Sequence, residues 1–509
     1  MSEIDDEDPE LENEEEEEEL DLNFEDLEEA VGQTECPTGH DHPKQDSAEI
    51  AAKKYPGSSE FVHLHIHSLF SQLDGVAEPK EYAQRAKEFG MPAIAVTDHG
   101  SLGAFPDMYL SCKEAGVKFI PGIEAYLNEY HVKLAELRQN PKFKFGDLTK
   151  SDPDLASRIR RNRHLIILAK NQAGYKNLLH MTTRSWEIGF YYKPRIWMDV
   201  IRQHKEGLVI LSGCLNGPIS YELSRAVECK KASDMTGAAA YMQRAVDWVK
   251  LLKDEFAEDF YIEIQMPGPE LKAGYDVLQL SIAIAKKFNV KTVLTGDCHY
   301  LHREDFLTQR AMMAIDAGKT INDPDQFIID TNEGFMKSRA EFRQTFYEQG
   351  YGSYATINDI EIACDNTLEV ASKCDNWKPN LDPKLPDVQD ADNKLATIAI
   401  KALYDKGLHK DLAKYEIDGS NVTYIEQLKL ELERIRSKGF SSYFLITKDL
   451  VDYSARIGYP VGPGRGSAGG CLVSYLIGIH QMDPLRWGLS FDRFLSQSRG
   501  GNMLVTKME

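Results

Sequence analysis

No apolar run in this 509-residue chain is long enough to cross a membrane, and its first residues have neither the basic nor the apolar region of a secretory signal. The sequence therefore predicts a cytoplasmic protein. Cysteine is sparse: eight residues, at 36, 112, 214, 229, 298, 364, 374 and 471, never spaced as CxxC, so no disulfide framework is expected. Residues 1–30 lack Lys and Arg altogether, against 18 Asp and Glu. Such a segment cannot bury enough apolar surface to offset its ordering entropy. Residues 1–58 are read as a disordered acidic tail, a solubilising spacer in preference to a docking or DNA-mimicking arm. Within it Cys36, His40 and His42 are ligand types, but their setting TECPTGHDHP reads as unstructured. Setting the 18 acids aside leaves −4 of the formal charge of −22, so net charge excludes no class of partner.

The rest is long enough for two or more domains. FVHLHIHS, residues 61–68, alternates histidine with apolar side chains. The period of an extended chain puts His63, His65 and His67 on one face and Val62, Leu64 and Ile66 on the other. Further strand-like runs follow: AIAVTDHG, KFIPGIEAYL, RHLIILAKN, GLVILSGC, DFYIEIQMPG and KTVLTGDCHY. Helical stretches such as PKEYAQRAKEFGMP separate them, with Tyr82, Ala83, Ala86 and Phe89 at helical spacing and Gly90 as a stop. Seven strands alternating with helices predict an α/β fold with a parallel sheet, closed or nearly closed.

In such folds the carboxyl ends of the strands form the active face. Asp98 and His99 end the second run, Glu124 lies near the end of the third, Cys214 ends the fifth, and Asp297 and His299 end the seventh. Singly, each has an ordinary explanation: a core histidine bonded to a carbonyl, an Asx-turn, an inert buried thiol. Jointly they suggest a site for two or three zinc, manganese or iron ions and a metal-dependent phosphoesterase.

In the order HLHIHS, TDHG, GIEAYL, SGC, GDCHY, these segments resemble the motifs of the polymerase and histidinol phosphatase (PHP) domain. FVHLHIHSLFSQLDG and GMPAIAVTDHGSLGA resemble the form of that domain found in bacterial DNA polymerase III alpha subunits, the C-family replicative polymerases. The resemblance implies a PHP-type distorted (βα)7 barrel over residues 59–305. It implies nine metal ligands, His65, His67, Asp74, His99, Glu124, His164, Cys214, Asp297 and His299, and a 3′ to 5′ exonuclease activity. His63 is outside the nine and is expected to support the other histidines. The run RIRRNRH, residues 158–164, reads equally as a DNA-backbone contact or a solvated loop.

Residues 306–509 carry a different signal. TYIEQLKLELERIRSKGF has helical period, with Leu428, Leu432 and Ile435 on one stripe. GPGRGSAGG, residues 462–470, then offers clustered backbone N–H groups before a helix-like stretch, an anion cradle by the chemistry of such loops. It is neither a Walker A loop nor a dinucleotide fingerprint. YFLITKDLVDYSARIGYPVGPGRGSAGG…DPLRWGLSFDRFL resembles the α+β palm of the C-family polymerases. That resemblance implies Arg465, Gly466 and Ser467 as ligands of a dNTP triphosphate, with primer-template DNA as partner and magnesium as the polymerising metal. The family's PDxDxDF aspartates are absent: the chain reads SQSRGGNMLVTKME after FDRFL. A partial palm is therefore expected, with a second polypeptide supplying the aspartates or a gene interrupted at this point. The rival reading is a free-standing PHP metallophosphoesterase acting on nucleotides or small phosphate esters. A non-catalytic scaffold is a third.

Overall fold

The structure is a computed structural model and describes residues 60–323, 331–375, 377–380, 386–464 and 466–496. The acidic leader with Cys36, His40 and His42, and Arg465 of the glycine-rich loop, lie outside the described residues. The chain divides into two units at residues 379 and 380, each described by itself.

The first unit is built on a curled sheet. Its strands are β1 (Ala93–Val96), β2 (Lys118–Leu127), β3 (Arg163–Ala169), β4 (Phe190–Tyr191), β5 (Lys193–Ile196), β6 (Leu208–Leu211), β7 (Phe260–Ile264) and β8 (Lys291–Leu294). The main path runs β1–β2–β3–β6–β7–β8, with the β4–β5 hairpin pairing at β2. Residues 61–67 join the ends of this path: Ala95 and Thr97 donate to the carbonyls of His63 and Ile66, and His67 donates to Cys298. Helix α1 (Pro79–Glu88) starts with Pro79 in its first turn and a Glu78/Glu81 capping box, and buries Tyr82, Ala83 and Ala86.

Two expectations are corrected. The sheet is not all parallel: β3 runs antiparallel to both β2 and β6. Between β2 and β3 the chain forms only short helices, among them α2 (Pro153–Arg160), and returns to the end it left. The beginning of β3, and with it His164, thus lies at the face where β2 ends. The second correction concerns the histidine run. Ala95 and Thr97 are two residues apart, whereas their acceptors His63 and Ile66 are three apart. One extra residue on the 61–67 side is a bulge, and it shifts the alternation by one step. Val62 and Leu64 lie in the inner layer with Ala95, Ile120, Ile166 and Val209. His63 instead packs outside against Phe61 and Phe342, apart from His65 and His67.

Helices α3 (Pro218–Lys231), α4 (Met235–Phe256), α5 (Phe306–Asp316), α6 (Arg339–Glu348) and α7 (Ile357–Lys373) are among those of the first unit. The boundary expected at residue 305 therefore falls inside it. Phe342, Phe346, Ile360 and Ala363 of α6 and α7 join the core shared with the sheet, so removing them would expose apolar surface on both sides. Lys118, at the start of β2, donates to the Ala371 carbonyl, and α7 covers that end of the sheet.

In the second unit, α8 (Ala391–Asp405) is followed by the hairpin β9 (Tyr415–Ile417) and β10 (Ser420–Val422), which turns on Asp418 and Gly419 with positive φ. Helices α9 (Tyr424–Ser437) and α10 (Ser441–Arg456) come next, then the short α11 (Leu472–Leu476). Leu428 and Ile435 of the predicted stripe are buried with Leu395, Phe444, Leu472 and Phe491. Among the described residues no helix is long and apolar enough to cross a membrane.

Candidate metal centre

All nine residues drawn from the motifs converge at the end of the first unit's sheet where β1 and β2 terminate. His65 Nε2 lies 3.0 Å from His67 Nε2, 3.1 Å from Asp297 Oδ1 and 3.4 Å from Glu124 Oε1. His164 Nδ1 is 3.0 Å from Glu124 Oε1 and 3.6 Å from Cys214 Sγ. His99 Nε2 and His299 Nε2 approach Asp74 Oδ2 at 3.1 and 3.5 Å. Three overlapping groups have ligand atoms close enough for one ion each: His67, His99 and His299; His65, His67 and Glu124; His99, Glu124 and His164.

Local backbone conformation makes this convergence possible. Gly213, at φ +81, turns the chain into Cys214, and a Cβ there would lie 2.1 Å from the His164 carbonyl oxygen. Asp297 itself takes a positive φ of 46° between β8 and His299.

Several residues that orient the site escaped the sequence reading. Glu263, inside the buried strand β7, accepts from His65 Nδ1 at 2.7 Å and from Gln265 at 2.8 Å. Ser71 Oγ donates to Asp98 at 2.8 Å and accepts from His67 Nδ1 at 2.9 Å and from the His99 amide at 3.1 Å. Gln309 of α5 donates to Asp74 at 2.9 Å. A glutamate in a strand and a serine in a loop carry no spacing signal, and only the fold brings them to the histidines. His63 touches none of the nine: its Nε2 faces the Lys337 carbonyl at 2.7 Å and its Nδ1 faces Cys298 Sγ at 3.5 Å, between Asp297 and His299 in sequence.

This donor set fits divalent cations. With Nδ1 of His65 and of His67 hydrogen-bonded outward, both Nε2 atoms face inward toward carboxylate oxygens, where a cation displacing the His65 proton would meet two imidazole nitrogens. Glu124 Oε2, Asp297 Oδ1 and His99 Nδ1 are buried without a hydrogen-bond partner, although His99 Nδ1 and Glu124 Oε2 are in ion-pair contact. Burial disfavours charge throughout, yet mutual attraction outweighs it. His65 is raised well above its ordinary pKa by Asp297 and Glu263, and His99 to about 10 by Glu124 and Asp74. His299 rises to about 9 beside Asp74 and Asp297, while Glu124 is held well below the carboxylate range by its imidazoles. His67 is the exception: burial, then His99 and His299, lower it to about 3, leaving a neutral ligand. Burial and the carboxylates push the Cys214 thiol up, so it would ionise only beside added positive charge.

In the second unit, Gly466 (φ +70) and Ser467 are exposed at the start of a 3-10 turn over Gly466–Gly470. The helix end behind them is not free. Glu431 of α9, fully buried, accepts from the amides of Leu472 and Val473 at 3.0 and 2.9 Å. The anion expected at that helix N-terminus is supplied by the chain's own carboxylate.

Comparison with known families and proteins agrees with this layout. The PHP domain family matches residues 63–267, and the bacterial DNA polymerase III alpha NTPase domain family matches residues 399–502. The DNA polymerase III subunit alpha of Aquifex aeolicus is 36% identical over 447 residues, 87% of this chain and 35% of that protein. Those of Campylobacter jejuni and Borreliella burgdorferi are 32% and 33% identical, each over 87% of this chain. The chain spans about a third of the length of these curated relatives. Asp297 and His299 lie beyond the residues matched to the PHP family yet sit inside the cluster.

Proposed function

For this chain, which belongs to the bacterial DNA polymerase III alpha family through the portion that bears the PHP domain, we propose a metal-dependent phosphodiester-hydrolysing site in the first unit and part of a polymerase palm in the second. The observation that carries the first proposal is the convergence of His65, His67, His99, Glu124, His164 and His299 with ligand atoms close enough for shared ions, and of Asp74, Cys214 and Asp297 against them.

His65, His67, Asp74, His99, Glu124, His164, Cys214, Asp297 and His299 would hold two or three zinc, manganese or iron ions. When bound, such ions lower the pKa of an attacking water and offset charge on the transferring phosphoryl group. The chain's own residues set the geometry. Glu124 reaches His65, His99 and His164 and so spans neighbouring positions, and Glu263 and Ser71 keep two imidazole Nε2 atoms turned inward. Exonucleolytic removal of a 3′ nucleotide is the reaction that suits a polymerase relative.

In the second unit we assign Arg465, Gly466 and Ser467 to the triphosphate of an incoming dNTP, met by the loop because Glu431 occupies the helix end. The match over residues 399–502 supports this over a free-standing phosphoesterase. Magnesium-dependent synthesis on primer-template DNA would also draw on aspartates of the PDxDxDF type, a motif that does not occur within these 509 residues.

A labelled primer-template incubated with the chain in manganese or zinc, with and without dNTPs, tests both halves. Shortening without extension is expected, and Asp297→Asn and His299→Ala should abolish it. Retained hydrolysis in either variant would sink the metal-site assignment. Extension by the chain alone would overturn the reading of the second unit.

A further inference from the structure

We propose that a cavity beside the nine-residue cluster holds the backbone phosphates of a single DNA strand whose end enters that cluster. The inference rests on the phosphodiester-hydrolysing reading of the first unit and names where the substrate strand lies. The cavity, of about 390 Å³, opens at the rim where β2 ends and β3 begins. There Leu127 pairs with Arg163, one register step beyond Tyr126 and His164. Its wall on the other side is α3, which starts four residues after Cys214. None of the nine lines the cavity, but two of them adjoin its lining along the chain, His164 next to Arg163 and Cys214 just before α3.

Five arginines line the cavity: Arg158, Arg161, Arg163, Arg225 and Arg244. The acids among the lining residues are Glu129, Asp154 and Glu222, two fewer. Glu222 is shared, 2.9 Å from Arg244 and 3.6 Å from Arg163. Aromatic faces do the rest of the orienting. Arg163 lies 3.5 Å and Arg161 5.1 Å from the centre of the Tyr221 ring, and Arg244 lies 4.0 Å from that of Tyr241. Of these ring-held guanidiniums, Arg163 and Arg244 share Glu222, and stacking on a ring leaves the remaining N–H groups in the plane for a further acceptor. Arg161 donates its side chain to no acceptor among the described residues, and Arg225 Nε is buried without a hydrogen-bond partner.

Planar, always-charged forks in excess over their carboxylates match phosphodiester oxygens, which accept two parallel N–H bonds from one arginine. The volume suits a nucleotide-sized group. A strand whose terminal phosphodiester reached His164 and Cys214 would pass this rim, and no base would need to be read. This fits an enzyme that accepts any sequence.

The test is fluorescence anisotropy of 5′-labelled oligothymidylate with the full chain in EDTA, over a series of salt concentrations. The Arg161→Gln/Arg244→Gln double variant should bind about tenfold more weakly. Its slope of log K against log salt should be shallower by about 1.4, since each phosphate contact on a single strand contributes roughly 0.7. Arg161→Lys/Arg244→Lys should restore most of the slope. Should the double variant melt early, Arg161→Gln alone, at an exposed position, is expected to lose about half that slope. No binding, an unchanged slope, or displacement of the oligomer by inorganic phosphate or polyglutamate at equal charge concentration would overturn the proposal. Metal-loaded hydrolysis of the same oligomer is read separately. If Asp297→Asn still hydrolyses while the arginine variants lose slope, the metal-site reading falls and the strand site stands.

Discussion

His65 donates from Nδ1 to Glu263 at 2.7 Å, both side chains fully buried, and that bond turns His65 Nε2 toward Asp297 and Glu124. A carboxylate behind an imidazole fixes the tautomer and raises its basicity as a ligand. Glu263→Ala should therefore lower the affinity for a bound zinc or manganese ion by about 10- to 100-fold, with all nine proposed ligands intact. Metal titration followed by calorimetry checks this. Unchanged affinity would mean that His65 is oriented by packing alone.

The bulge predicts a contrasting outcome at His63. Its ring caps the Lys337 carbonyl at 2.7 Å in a fully buried position outside the cluster. His63→Leu should leave that carbonyl unpartnered and destabilise the first unit by about 1–3 kcal/mol. Metal stoichiometry should not change. A thermal melt and elemental analysis of the same sample decide it, and loss of a metal equivalent would place His63 with the ligands.

The two histidine predictions also show what sequence could and could not carry. The strand ends at Asp98, His99, Cys214, Asp297 and His299 were legible because apolar runs stop at residues of one chemical kind, and motif order supplied Asp74 and His164. Alternation failed at His63, since one extra residue in a strand inverts the faces and leaves no mark in composition. The reversal of β3 was hidden as well: residues 128–162 contain helices, as a crossover would, and only pairing shows that they make none. Glu263 and Glu431 were missed for a common reason. Each is a buried carboxylate whose partner is distant in the chain, His65 in one case and the amides of 472 and 473 in the other.

Gly213 offers a test of how rigidly the centre is built. Alanine there would meet the His164 carbonyl oxygen at 2.1 Å and would be strained at φ +81. Neither backbone can yield without moving His164 or Cys214, so Gly213→Ala should cost about 1–3 kcal/mol in strain and weaken metal binding together with hydrolysis. Thermal unfolding and metal titration follow the two effects. A variant that lost stability but kept full metal affinity would show that His164 and Cys214 are dispensable as ligands.

Glu431 makes the stability of the second unit depend on pH with a definite sign. Burial raises its pKa to about 6, against an ordinary 4.5, even though the Val473 and Leu472 amides and Gln427 favour the ionised form. Because the folded-state pKa lies above the unfolded one, the folded protein binds more protons between these values. Stability is then greatest below about pH 4.5 as far as this group is concerned, falls as pH rises through 6, and levels off beyond, a change of roughly 2 kcal/mol. Glu431→Gln keeps the size of the side chain and one acceptor but cannot ionise, so the difference between wild-type and variant unfolding free energies should carry that slope between pH 4.5 and 6. It should be flat from pH 7 to 8. Parallel curves throughout would mean that Glu431 ionises in the fold as readily as in the open chain, and that the helix end of residues 472–476 is better hydrated than its burial implies.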